Sequence, residues 1–270
     1  MIMEGVWRDM KKYLCEFLGT CVLVLFGCGV AIVTNADLVA TALAFGLSAA
    51  VVYYIVGYIS GGHINPAVSF AAWIDKRIDT KDFFGYVFAQ ILGGIAAFAL
   101  LMLIFDTTAT VYTVETAANT FGSLSNSGIT MLGALILEII LTFTLVLTVL
   151  GITRNNKNTR MVGIVVGLAL ILVHLFGINL TGTSVNPARG FAPAIFVGGE
   201  YLNQAWVFVV GPMVGAAFAA LAIFFIDLEN DEPKQVVVTE EIVKPVEKKE
   251  TPRVERKPKP RKAKSAKKLV

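Results

Sequence analysis

The sequence predicts an all-α integral membrane fold: six transmembrane helices and two re-entrant half-helices in two inverted repeats. Three observations predict it. The first is composition. Of 270 residues, 56% are hydrophobic and 16% charged, with a mean hydropathy of +0.70, too little polar surface for a soluble domain of this size. The second is a phrase that occurs twice, Ser60-Gly61-Gly62-His63-Ile64-Asn65-Pro66-Ala67 and Thr181-Gly182-Thr183-Ser184-Val185-Asn186-Pro187-Ala188, 121 residues apart. The third is wider self-similarity near that offset: Glu16 matches Glu138, Gly46-Leu47 matches Gly167-Leu168, and Gly93 matches Gly215.

In chain order, a polar start at 1–11 precedes a first span at about 13–33, broken only by Glu16. A second span covers about 38–59. Asn65-Pro66 then opens a short apolar piece to Ile74. Asn is a favoured helix N-cap and Pro a favoured first helical residue, so a helix starts there. That piece cannot cross ~30 Å of hydrocarbon, which takes about 20 helical residues. A charged loop at 75–82 leads to a third span at about 84–104. Residues 106–127 form a polar loop without Lys or Arg. The second repeat follows the same plan: a span at about 131–152 containing Glu138, a basic turn at 154–160, a span at about 161–178, a short piece opened by Asn186-Pro187, and a last span at about 205–226. The channel domain is thus 1–227, with repeats at about 12–105 and 131–227.

Charge sets the orientation. Ten of the 23 Lys and Arg precede residue 232, and with six spans nine of these fall on one side. By the positive-inside rule that side is cytoplasmic, as are both termini; the expected location is the plasma membrane. Arg189 alone is left on the outer half. Residues 228–270 carry the other thirteen basic residues and suit a disordered cytoplasmic tail attracted to anionic lipid, with nucleic acid not expected as a partner. Cys15, Cys21 and Cys28 have no metal-ligand spacing and suit small buried hydrophobes; no metal or cofactor is expected.

Three spans per repeat is an odd number, so the second repeat is inverted. Inverted repeats with broken helices place their site at the repeat interface near the midplane. The N-termini at Asn65 and Asn186 then meet there. Irregular backbone at that depth is tolerated where it lines a wet cavity, so Gly61, Gly62, His63, Gly182 and Ser184 are expected along a path. Facing helix N-termini repel cations, and the Asn amides can donate to a neutral molecule. His63 can line the approach or be structural. Glu16 and Glu138 are intramembrane carboxylates, and their symmetry favours support of the re-entrant loops over ion coupling. No nucleophile, metal set or nucleotide loop suggests an enzyme.

On these motifs, over about 12–227, the chain resembles the aquaporins of the major intrinsic protein family. The resemblance implies a passive water channel driven by osmotic gradients, with the Asn65-Pro66-Ala67 and Asn186-Pro187-Ala188 motifs in the pore. It implies a filter of Phe45, His174, Thr183 and Arg189, and a homotetramer. Phe45 with His174 is similar to the water-selective branch. Gly190 and Val209 depart from that pattern, so an aquaglyceroporin passing glycerol or similar solutes is the first alternative. A secondary active transporter is the second, weakened by the lack of a coupling carboxylate beside the Asn pair.

Overall fold

A computed structural model describes residues 2–154 and 160–230. Its helices are α1 (Ile2–Val33), α2 (Leu38–Ser60), α3 (Pro66–Ile74), α4 (Thr80–Asp106), α5 (Met131–Thr153), α6 (Val162–Thr181), α7 (Pro187–Val197), α8 (Gly199–Gln204) and α9 (Val207–Asn230), with short 3-10 turns at Val114–Ala117 and Gly122–Leu124. Six segments are long and apolar enough to cross a bilayer, Met10–Val33, Leu38–Ser60, Thr80–Asp106, Met131–Thr153, Val162–Thr181 and Gly199–Ile226. The chain is a multi-pass membrane protein. The expected basic tail from residue 231 on and part of the basic turn (155–159) lie outside the described residues.

The two repeats pack alike. Helix α1 lies against α4 and α2, as α5 lies against α9 and α6. A side chain at Gly93 would run into the Phe17 carbonyl on α1, and one at Gly215 into the Ile139 carbonyl on α5. Gly46 and Gly167 each lie against the other's carbonyl, so α2 and α6 cross where neither has a side chain. In a bilayer, where lipid is as apolar as leucine, such close backbone contact is what holds helices together.

Three elements differ from the sequence expectation. Helix α1 begins at Ile2, not near residue 13, because the helix continues past the apolar run into polar residues. Helix α8 is a separate short helix ahead of α9. The polar loop after α4 contains two 3-10 turns and is pinned by its backbone: the Gly122 N–H donates to the Ile129 carbonyl (2.7 Å) and that of Thr120 to the Thr181 carbonyl (3.1 Å). At the other end, Lys12 Nζ pairs with Asp82 (2.6 Å), and Arg77 donates to the Thr153 hydroxyl (2.7 Å) and the Leu150 carbonyl (3.0 Å). Lys12 of α1 and Arg77 of the 75–79 loop are thus tied to the start of α4 and the end of α5.

Candidate pore and its constriction

Nine residues make α3 about 13 Å long at 1.5 Å per residue. Each half-helix starts at its Asn. Asn65 Oδ1 accepts from the Ala67 N–H (2.8 Å), and Asn186 Oδ1 from those of Ala188 (3.0 Å) and Arg189 (3.3 Å). Each amide nitrogen then reaches across the repeat interface. Asn65 Nδ2 donates to the Val185 carbonyl (2.8 Å) and Asn186 Nδ2 to the Ile64 carbonyl (2.9 Å). An amide carries two N–H groups, so each Asn keeps one for a molecule beside it.

Ile64 and Val185 occupy the left-handed region, both at φ 45°. For a β-branched residue this costs on the order of 1–3 kcal/mol and persists only where the surroundings enforce it. Here they do so at both ends of each residue. The carbonyls are held by the Asn amides, and the N–H groups by buried carboxylates: Ile64 on Glu16 (2.6 Å) and Val185 on Glu138 (2.9 Å). Glu16 also accepts from the Ser60 hydroxyl (2.6 Å) and the His63 N–H (3.0 Å). Glu138 accepts from the Thr181 hydroxyl (2.8 Å) and the Ser184 N–H (2.9 Å). Both carboxylates are spent on loop donors, which is the geometry of support. Sequence reasoning missed Gln90, whose Nε2 donates to Glu16 (2.8 Å) and to the Ser69 hydroxyl (2.9 Å). Its signal was a carboxamide inside an apolar span.

Two cavities meet at Arg189, which alone among the described residues lines both. The inner one is lined by Gly61, Gly62, His63, Asn65, Ser184 and Asn186 with an apolar set that includes Leu23, Val68 and Leu170. It offers about 40 Å³ to water centres, room for roughly three waters. The outer cavity, about 260 Å³ by the same measure, is lined by Thr41, Thr116, Ser125, Asn126 and Gly182, among others. Gly182 thus belongs to the outer cavity and not to the inner path.

Between the cavities the side chains close up. The Phe45 and His174 rings stack with centroids 4.4 Å apart, and Arg189 Cζ stands 5.0 Å from the Phe45 centroid. His174 Nδ1 is bonded to the Leu170 carbonyl (2.9 Å). Arg189 is buried, with Nη1 donating to the Ala117 carbonyl (2.9 Å) and Asn119 Oδ1 (2.5 Å), and Nη2 to the Gly182 carbonyl (3.1 Å). Sequence reasoning missed Asn119, which sits in an aperiodic polar loop. Thr183 departs from its expected place: it lines neither cavity, because its hydroxyl fills the space left by the missing side chain of Gly177.

The neighbours of Gly190 are now visible. A side chain there would meet the Ser184 hydroxyl at 2.5 Å and Phe208 at 3.1 Å. That hydroxyl instead donates to the carbonyls of Asn186 and Phe208, each at 3.1 Å.

A family model described as Major intrinsic protein matches residues 5–223. A glycerol uptake facilitator protein-like 6 from Lactiplantibacillus plantarum is 40% identical over 212 residues, covering 78% of this chain and 95% of the relative. The X-ray structure of the aquaglyceroporin from Plasmodium falciparum superposes with a TM-score of 0.71 at 24% identity, covering 82% of this chain and 99% of that one. At that identity the structural likeness speaks to the fold alone.

Proposed function

The chain belongs to the major intrinsic protein family, whose members are channels and not enzymes, and we propose that it is a passive channel for small uncharged solutes, glycerol first among them, with water as co-permeant. The observation that carries this reading is the Asn pair. Two half-helix N-termini meet in a narrow cavity, each Asn has one amide N–H to spare, and the lining combines backbone polar groups with aliphatic side chains. Such a lining suits a molecule with hydroxyls on one side and carbon on the other. The helix ends and the buried Arg189 disfavour cations. The likeness to a glycerol uptake facilitator-like protein favours glycerol over strict water selectivity.

The water-selective reading keeps one observation in its favour, the tight contact of Phe45 and His174. In either case Asn65-Pro66-Ala67 and Asn186-Pro187-Ala188 form the centre of the path, Phe45, His174 and Arg189 its constriction, and Glu16 and Glu138 its support. A homotetramer in the plasma membrane with cytoplasmic termini, and a tail at 228–270 drawn to anionic lipid, complete the proposal. Labelled glycerol uptake into proteoliposomes tests it. Uptake should be fast, stop at equal concentrations inside and out, and ignore proton or sodium gradients. Accumulation above the outside concentration would mean active transport.

A further inference from the structure

Gly27 lies inside α1, with no positive φ and no turn to explain a glycine, and glycine destabilises a helix interior relative to alanine. Its explanation is a neighbour. A side chain at Gly27 would overlap the Phe45 ring, reaching Cδ1, Cε1 and, at 2.6 Å, Cζ. At the crossing glycines Gly93, Gly167 and Gly215 the nearest atom in that space is a backbone carbonyl oxygen of another helix, and at Gly46 such an oxygen shares it with the Ile171 side chain. At Gly27 it holds an aromatic ring of the constriction.

The inverted repeat supplies a control. At the repeat offsets, Gly27 matches Val149 and Phe45 matches Val166. One repeat pairs the smallest residue with a large ring, and the other pairs two mid-sized residues, both lining the inner cavity.

The seat has a consequence for passage. With the ring in it, His174 Nε2 and Arg189 Nε are buried and have no hydrogen-bond partner. Phe45, His174, Thr183 and Arg189 are each at most 2% exposed. A permeating molecule has to reach polar atoms at this level to replace the hydrogen bonds it sheds, and here they are sealed even from water. Buried groups left unpaired are costly, so a displacement of the ring that lets a solute reach them is favoured when one arrives.

We infer that Gly27 is a specificity-determining position: it seats the Phe45 ring across the constriction, and the ring leaves that seat when a solute passes. Gly27 acts through Phe45 and is a positioning residue. The inference rests on the channel reading above.

The test is a double-mutant cycle on the full chain in proteoliposomes, with permeability counted per protein. Gly27→Ala should raise glycerol permeability several-fold and water permeability less. Phe45→Ala should do the same, and adding Gly27→Ala to Phe45→Ala should change neither permeability. If Gly27→Ala does not assemble, Gly27→Ala/Phe45→Ala should recover wild-type yield, since the ring is what the new methyl meets. The inference is overturned if Gly27→Ala leaves both permeabilities unchanged, lowers both, or acts by the same factor with and without the ring, or if the double variant also fails to assemble. A wild-type protein that passes neither glycerol nor water would instead overturn the channel reading, and this inference with it.

Discussion

The two re-entrant loops do one structural job with nearly the same parts, and they diverge where a permeant would have to be chosen. Ser60, Gly61, Ile64 and Asn65 have counterparts in Thr181, Gly182, Val185 and Asn186, and each set hangs from one buried glutamate. The next positions differ. Val68 matches Arg189, Ser69 matches Gly190, and His63 matches Ser184. In the first loop, the Ser69 hydroxyl contacts His63 Nδ1 (3.1 Å) and accepts from Gln90. In the second, the Ser184 hydroxyl takes the space a residue at 190 would need. The shared residues hold two strained backbones at the midplane; the unshared ones decide what surrounds the path on either side.

The largest expected effect tests the shared part. Glu138→Ala strands the Ser184 and Val185 N–H groups and the Thr181 hydroxyl, a loss of roughly 3 kcal/mol or more. Glu16→Ala should cost roughly 1 kcal/mol less, because the unpaired Gln90 Oε1 lies close enough to turn toward the freed donors. Thermal unfolding in detergent checks the order. Equal losses would mean that Gln90 gives no relief.

The next effect tests the divergence. Gly190→Ser should destabilise by about 1–3 kcal/mol through overpacking against Ser184 and Phe208. Adding Ser184→Ala should recover most of it, by the same unfolding measurement. A Gly190→Ser protein as stable as wild type would show that the second loop tolerates the arrangement of the first.

The smallest effect concerns Arg189, for which the first loop has no equivalent. Asn119→Ala removes one of three acceptors and leaves the Ala117 and Gly182 carbonyls. A stability loss of about 1 kcal/mol is expected, with the ratio of glycerol to water permeability changed more than either loop-supporting glutamate would change it at equal expression. An unchanged ratio would make Asn119 a packing residue only.

What was legible in the sequence follows from these differences. Bilayer thickness sets the length of apolar runs, so the six spans could be counted. Asn-Pro marks a helix start by local chemistry, and a carboxylate in an apolar span stands out, so both half-helices and Glu16 and Glu138 were visible. Hydropathy marks where the membrane ends and not where a helix ends, so the start of α1 at Ile2 was hidden. Asn119 and Thr183 were illegible for another reason. One sits in a loop without periodicity, and the other's side-chain direction depends on the gap at Gly177, far along a different helix. The stack of Phe45 on His174 joins residues 129 positions apart, and no local pattern encodes its 4.4 Å spacing.

The central claim is that the Asn pair sits on a passive path for small neutral solutes that reaches beyond water. Stopped-flow light scattering on proteoliposomes tests it most directly, with sucrose and then glycerol as the osmolyte. The account predicts fast shrinkage in sucrose and, in glycerol, shrinkage followed by fast re-swelling as glycerol enters. Fast shrinkage without re-swelling would contradict it and leave a water-selective pore.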